Sequence, residues 1–130
     1  MANILVADDD EFSRHLLATV LRDAGHRVYE AHDGKEALDF FVASAPHAVI
    51  TDLEMPRMGG HELIAELRKI GANIPVVAVS GGGKAMLTTA LELGADLCFA
   101  KPFDCINLIS MLTPMLNAEG VEQENGNHAI

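Results

Sequence analysis

Short, unbroken apolar runs, separated by longer stretches of helical spacing, dominate this chain. Ile4-Leu5-Val6-Ala7, Ala48-Val49-Ile50 and Pro75-Val76-Val77-Ala78-Val79 are each too short for a helix. They also lack the alternation of a half-exposed strand, so each reads as a parallel strand covered on both faces. Residues 26–31 are more polar and suit a strand near a sheet edge, and Leu97-Cys98-Phe99-Ala100 reads as a fifth strand. Between these runs, apolar residues recur at steps of three and four. The sets are Phe12, Leu16, Leu17, Val20 and Leu21; Ala37, Leu38, Phe41 and Val42; and Leu63, Ile64 and Leu67. Met86, Leu87, Ala90 and Leu91 make a fourth set, and Leu108, Met111, Leu112, Met115 and Leu116 a fifth. Gly25, Gly71 and Gly94 mark helix ends, Asp33 with Glu36 has the pattern of an N-cap, and Pro114 predicts a kink or fray in the last helix. Strands alternating with helices over short connections predict a doubly wound α/β domain, a five-stranded parallel sheet flanked by five helices.

Right-handed crossovers bring the C-terminal ends of such strands to one edge, which is where open α/β sheets bind ligands. Asp8 and Asp9 follow the first strand, Asp52 the third, Ser80 the fourth and Lys101 the fifth. Carboxylates crowded at one edge repel one another unless cations compensate. Lys101 supplies one charge, and the surplus suits Mg2+, which takes oxygen ligands completed by phosphate and water. A carboxylate beside such an ion can attack phosphorus and become an acyl phosphate. The phosphoryl group spreads charge over three equatorial oxygens, which the metal, the Lys101 ammonium and the Ser80 hydroxyl can meet. The parts fit phosphoryl transfer to Asp52.

Composition excludes several other classes. At 130 residues the chain is expected to form one domain, and 49% hydrophobic content against 22% charged is an ordinary globular balance. Its 19 acids against 9 bases leave a net charge of −10, which argues against nucleic-acid binding through the phosphate backbone. No apolar run approaches the ~18 residues of a membrane span, and no leader pattern opens the chain. Cys98 and Cys105 lack metal-ligand spacing and a secretory context, so reduced thiols and a cytoplasmic location are expected. The six histidines show no ligand spacing and read as surface residues. The glycine run at 81–83 lacks the spacing of a nucleotide loop.

Val6-Ala7-Asp8-Asp9-Asp10, Thr51-Asp52-Leu53-Glu54-Met55-Pro56, Ser80 and Lys101-Pro102-Phe103 together resemble the receiver domain of two-component response regulators, over about residues 2–117. The resemblance implies a flavodoxin-like sheet ordered 2-1-3-4-5, with residues 1–117 as the receiver and 118–130 as an acidic, disordered tail. It implies that Asp52 is the phospho-acceptor and a metal ligand, that Asp9 binds Mg2+ directly, and that Asp8 positions a metal-bound water. The backbone carbonyl of Glu54 is implied as a further ligand. Lys101 is implied to pair with Asp52 and later with the phosphate, Ser80 to bond the phosphate, and the Lys101–Pro102 peptide to be cis. The implied role is a single-domain response regulator rather than an enzyme, one that promotes its own phosphorylation and dephosphorylation. Its partners are then a sensor histidine kinase or histidine phosphotransfer protein and a downstream protein target, with no nucleic acid and no membrane.

Two departures bear on output. Cys98 stands three positions before Lys101, where the family carries an aromatic residue, and glycines follow Ser80. The switch is therefore expected in the loop after the fourth strand and the start of the fourth helix. Glu54 is expected to govern phosphoryl lifetime, with Gly82 leaving the far side of the site open. Two alternatives compete. Asp8-x-Asp10 resembles the nucleophile motif of haloacid-dehalogenase-type phosphatases, but no cap is available at this length and Asp52 would be idle. A phosphorylation-independent pseudo-receiver is opposed by the complete acid–lysine–serine set.

Overall fold

The computed structural model describes residues 1–118. Five strands alternate with five helices: β1 Asn3–Ala7, α1 Glu11–Asp23, β2 Arg27–Ala31, α2 Gly34–Ser44, β3 Ala48–Asp52, α3 Gly60–Lys69, β4 Val76–Ser80, α4 Lys84–Leu93, β5 Leu97–Ala100 and α5 Cys105–Ala118. All neighbouring strands pair in parallel, in the order β2-β1-β3-β4-β5, as expected. The acidic tail reading falls, from Glu119 onward, outside the described residues.

The apolar runs build two cores because successive side chains of a strand point to opposite faces. Ile4, Val6, Ile50, Val77 and Val79 pack beneath α1 and α5 with Leu17, Leu21, Leu108, Leu112 and Leu116. Leu5, Val49, Val76 and Ala78 pack on the other face with Leu63, Ile64 and Leu67 of α3. Every residue of β3 and β4 is buried, whereas β2 and β5, at the two edges, are only partly covered. The weak apolar character of β2 follows from that edge position.

The helical spacing located the helices but not every buried face. Phe12 and Leu16 are 76% and 49% exposed, while Leu17, Ala18 and Leu21 carry the contact of α1 with the sheet. With 3.6 residues per turn, Phe12 falls on the side of the helix opposite that stripe. Val42, Leu91 and Met111 are likewise exposed, flanking the stripes centred on Ala37, Ala90 and Leu112. Helix α5 continues through Pro114, which is exposed, as is Ser110, whose carbonyl the proline leaves without an amide partner. Three histidines expected at the surface are half-buried and hydrogen-bonded. Nδ1 of His26 and of His47 accept the N–H groups of Ala2 and Asn3 (3.1 and 2.9 Å), and His61 Nε2 meets the Met86 carbonyl at 2.8 Å.

Candidate functional site

The register sets the ends of β1, β3, β4 and β5 side by side, with Ala7 opposite Thr51, Asp52 opposite Val79 and Ser80 opposite Ala100. The residues that follow these ends therefore meet. Asp8, Asp9 and Asp52 each offer a carboxylate oxygen within 4.8 Å of the others. Asp8 and Asp52 are buried and Asp9 is exposed, so the cluster opens to solvent on one side. Lys101 reaches in from the end of β5, its Nζ 3.0 Å from Asp8 Oδ2 and 3.5 Å from Asp52 Oδ2. The peptide between Lys101 and Pro102 is cis. Ser80 is fully buried at the end of β4.

The electrostatics show one cation short of balance. Burial, and then the Asp8 charge, push the Asp52 carboxyl from its ordinary 3.8 up to about 6; Glu54 adds to the rise, while Lys101 and the Leu53 N–H oppose it. Burial alone would lower the Lys101 ammonium, yet its hydrogen bond to Asp8 and the charges of Asp8 and Asp52 raise it overall. The donors are carboxylate oxygens, two of them buried, and this hard all-oxygen set fits Mg2+.

Glycine at 60 lets α3 start against Asp52. A Cβ there would overlap the Asp52 carbonyl and the Leu53 side chain, and the Gly60 N–H donates to the Leu53 carbonyl at 3.0 Å. The loop between β3 and α3 is strapped to the start of α2 by Arg57 Nε on Asp33 Oδ2 (2.9 Å) and by the Gly34 N–H on the Met58 carbonyl (2.9 Å). Asp33 caps α2 as expected, accepting the Glu36 N–H at 2.8 Å. Asp10 precedes α1, and its carboxylate accepts the Ser13 hydroxyl at 2.7 Å, which holds its pKa below the ordinary value. It takes no part in the carboxylate cluster.

Three contacts at the Ser80 hydroxyl were not legible in the sequence. The Glu54 side chain turns back to Ser80, whose Oγ lies 3.2 Å from Glu54 Oε1 and accepts the Gly82 N–H at 2.9 Å. Met86 Sδ stands 3.9 Å from the same oxygen. A Cβ on Gly82 would overlap both the Glu54 carboxylate and the Met86 sulfur. The far side of the site is thus filled by these two side chains rather than left open. Cys98 is half-buried, with Sγ 3.5 Å from the Leu87 carbonyl of α4, and burial raises its thiol.

Comparison with known proteins places this arrangement. The response regulator receiver domain model matches residues 4–113. The response regulator MprA of Mycobacterium avium is 34% identical over 122 residues, 93% of this chain and 54% of that protein. MprA of Mycobacterium tuberculosis is 36% identical over 114 residues, 87% of this chain and 50% of that protein. The chain thus spans about half the length of these curated relatives. Among solved structures, the receiver domain of the Francisella response regulator 1452 superposes with a TM-score of 0.86 at 29% identity, covering 92% of this chain and 99% of that one. NtrX from Brucella abortus superposes with a TM-score of 0.84 at 33% identity, covering 95% of this chain and 28% of that one. Among the described residues, no helix is long and apolar enough to cross a membrane. With the family model spanning most of its length and the same strand order, the chain belongs to the response regulator receiver domain family.

Proposed function

We propose that Asp52 accepts a phosphoryl group from a phosphohistidine on a sensor kinase or phosphotransfer protein. One observation carries the reading: the Asp8, Asp9 and Asp52 oxygens converge within 4.8 Å, and Lys101 Nζ stands 3.5 Å from Asp52. In the transfer, a carboxylate oxygen of Asp52 attacks phosphorus, the bond to the histidine nitrogen breaks, and its electron pair returns to the ring. The Leu53 N–H, 2.9 Å from Asp52 Oδ1, fixes the carboxylate plane for that attack. Lys101 offsets the charge that builds on the phosphoryl oxygens, and the Ser80 hydroxyl donates to one of them after releasing Glu54. Asp8, Asp9, Asp52 and the Glu54 backbone carbonyl would hold Mg2+, which supplies the missing positive charge.

The phosphorylated state is read by a protein target or passes its phosphate on. Contacts from Ser80 to Met86 and from His61 to the Met86 carbonyl support a readout through the start of α4. The net charge of −10 supports a protein rather than nucleic acid as what the receiver itself touches. Residues 1–117 are the proposed receiver unit. Incubation with acetyl phosphate and Mg2+ tests the assignment, reading an acid-stable, base-labile phosphate on the protein. Label retained in Asp52→Ala would sink the acceptor, and label formed equally in chelator would sink the metal role.

A further inference from the structure

We propose that Arg14, outside the acidic cluster, aims the Asp9 carboxylate into the metal site by gripping the main chain just before it; the inference rests on the Mg2+ reading above. The Asp8 carboxylate is held by Lys101 Nζ and by the Asp10 N–H, each at 3.0 Å. Among the described residues, no donor reaches the Asp9 carboxylate, which is exposed. What the protein fixes for it is therefore the direction of its Cα–Cβ bond, which the backbone sets. Two rigid peptide planes flank the Asp9 Cα, and turning either one swings the Cβ. The following plane is pinned through the Asp10 N–H on Asp8 Oδ1. The preceding plane is pinned by Arg14, whose Nη1 donates to the Asp8 carbonyl at 2.9 Å.

Arg14 is itself anchored. Its side chain is only 14% exposed, and Nε donates to Glu30 Oε1 at 3.1 Å. Glu30 lies on β2 and also accepts Arg22 Nη1 at 3.1 Å. The β1–β2 ladder holds the chain as far as the Asp8 N–H, which donates to the Ala31 carbonyl at 3.0 Å. Beyond that point the chain leaves the sheet, and the Arg14 guanidinium is its next fixed point. Arginine suits the task because its planar fork meets two acceptors at once, whereas a lysine ammonium on a flexible stem does not. The other pin uses a carboxylate of the metal site, so Arg14 supplies the constraint that does not depend on the ion.

The sign of the effect separates positioning from charge. Removing a cation near a cation site should, by Coulomb's law alone, tighten Mg2+ binding; losing the aim of Asp9 should weaken it. Calorimetric Mg2+ titrations of wild type, Arg14→Leu, Arg14→Lys and Arg22→Leu decide, with thermal unfolding of each in parallel. Arg14→Leu should bind about tenfold more weakly, the lower end for loss of a partner that orients a ligand. Arg14→Lys should fall between it and wild type. Arg22→Leu removes a cation from Glu30 without touching Asp8, and should bind as wild type or slightly tighter whatever stability it loses. Arg14→Leu binding as tightly as wild type overturns the inference alone, as does wild-type affinity in Arg14→Lys should Arg14→Leu not fold. A wild type that takes up no Mg2+ overturns the metal reading together with this one.

Discussion

Replacing Asp52 with its neutral isostere should make the protein more stable, and only where Asp52 is ionised. The Asp52 carboxyl is pushed from 3.8 up to about 6 by burial and the Asp8 charge. Its native value thus lies above its unfolded one, so ionisation favours unfolding. The penalty is absent below the unfolded value, grows between the two, and is complete above the native one. A decade of acidity is worth about 1.4 kcal/mol, which puts the ceiling near ~3 kcal/mol. Solvent reaches this edge beside Asp9 and trims it to about 2 kcal/mol. Asp52→Asn keeps the shape and an oxygen for the Leu53 N–H but carries no charge at any pH. In chelator at pH 8 it should unfold roughly 8 °C above wild type, at about 4 °C per kcal/mol for a domain of this size. At pH 4.5 the gap should shrink to roughly half, about 1 kcal/mol, and it should close only as the pH falls below the unfolded value. Mg2+ should raise the wild-type midpoint and narrow the gap at pH 8, because a ligand of the native state stabilises it by mass action. A variant no more stable than wild type at pH 8, or one with the same advantage at both pH values, would refute the charge argument.

Other consequences are more local. Glu54→Ala and Gly82→Ala should each free the Ser80 hydroxyl, the second because its methyl displaces the Glu54 carboxylate. A hydrogen bond of about 1 kcal/mol corresponds to about fivefold tighter beryllofluoride–Mg2+ binding, with no further gain in the double variant; additive gains would show that the two residues do not share Ser80. Arg68 donates to the carbonyls of Ala72, Ile74 and Gly94 and to Asp96, tying α3 to the entries of β4 and β5. Arg68→Met should cost ~2–3 kcal/mol in urea unfolding by stranding those acceptors, and Arg68→Lys should recover less than half; wild-type stability in Arg68→Met would refute this role.

The parts that could be read from the sequence share a physical cause. A central parallel strand is apolar on both faces, so β1, β3 and β4 appear as unbroken runs whatever surrounds them. Where a run stops, the polar residue after it lies at the C-terminal edge of the sheet, so the convergence of Asp8, Asp9, Asp52, Ser80 and Lys101 could be read without any knowledge of packing. Helix phase was harder. Phe12 and Leu16 satisfy the spacing as well as Leu17 and Leu21 do, and only the sheet decides which side of α1 faces inward. The polar clamps were the least legible, because their partners are distant in sequence. His47 Nδ1 accepts the Asn3 N–H only because β1 and β3 are neighbours in the sheet, and Arg68 meets Gly94 only because α3 packs beside the α4–β5 turn. The open far side expected at Gly82 was misread for a related reason. A glycine reads as empty space until the fold brings the Glu54 carboxylate and the Met86 sulfur beside it.

The expectation that α4 carries the response arose from the glycines that precede it, and the packing supplies a second and stronger reason. Ala90 is the one residue of α4 that is buried, whereas α3 next to it buries Leu63, Ile64 and Leu67. Elements that open first are those with few buried apolar contacts, so α4 sits at the low-stability end of this domain. Its first turns are tethered by polar and sulfur contacts. His61 Nε2 meets the Met86 carbonyl, Met86 Sδ touches Ser80 Oγ, and Cys98 Sγ meets the Leu87 carbonyl. A Ser80 hydroxyl drawn toward a phosphoryl oxygen gives up Glu54 and moves away from Met86, and so acts on one of three tethers directly. Where the family has an aromatic ring to turn inward, Cys98 offers a single sulfur, and little surface can change there. On the proposed reading the signal would travel by loosening a helix that sets one fully buried residue, Ala90, and the partly buried Met86, Leu87 and Leu93 against the core, which requires neither a large side chain nor a rearranged sheet.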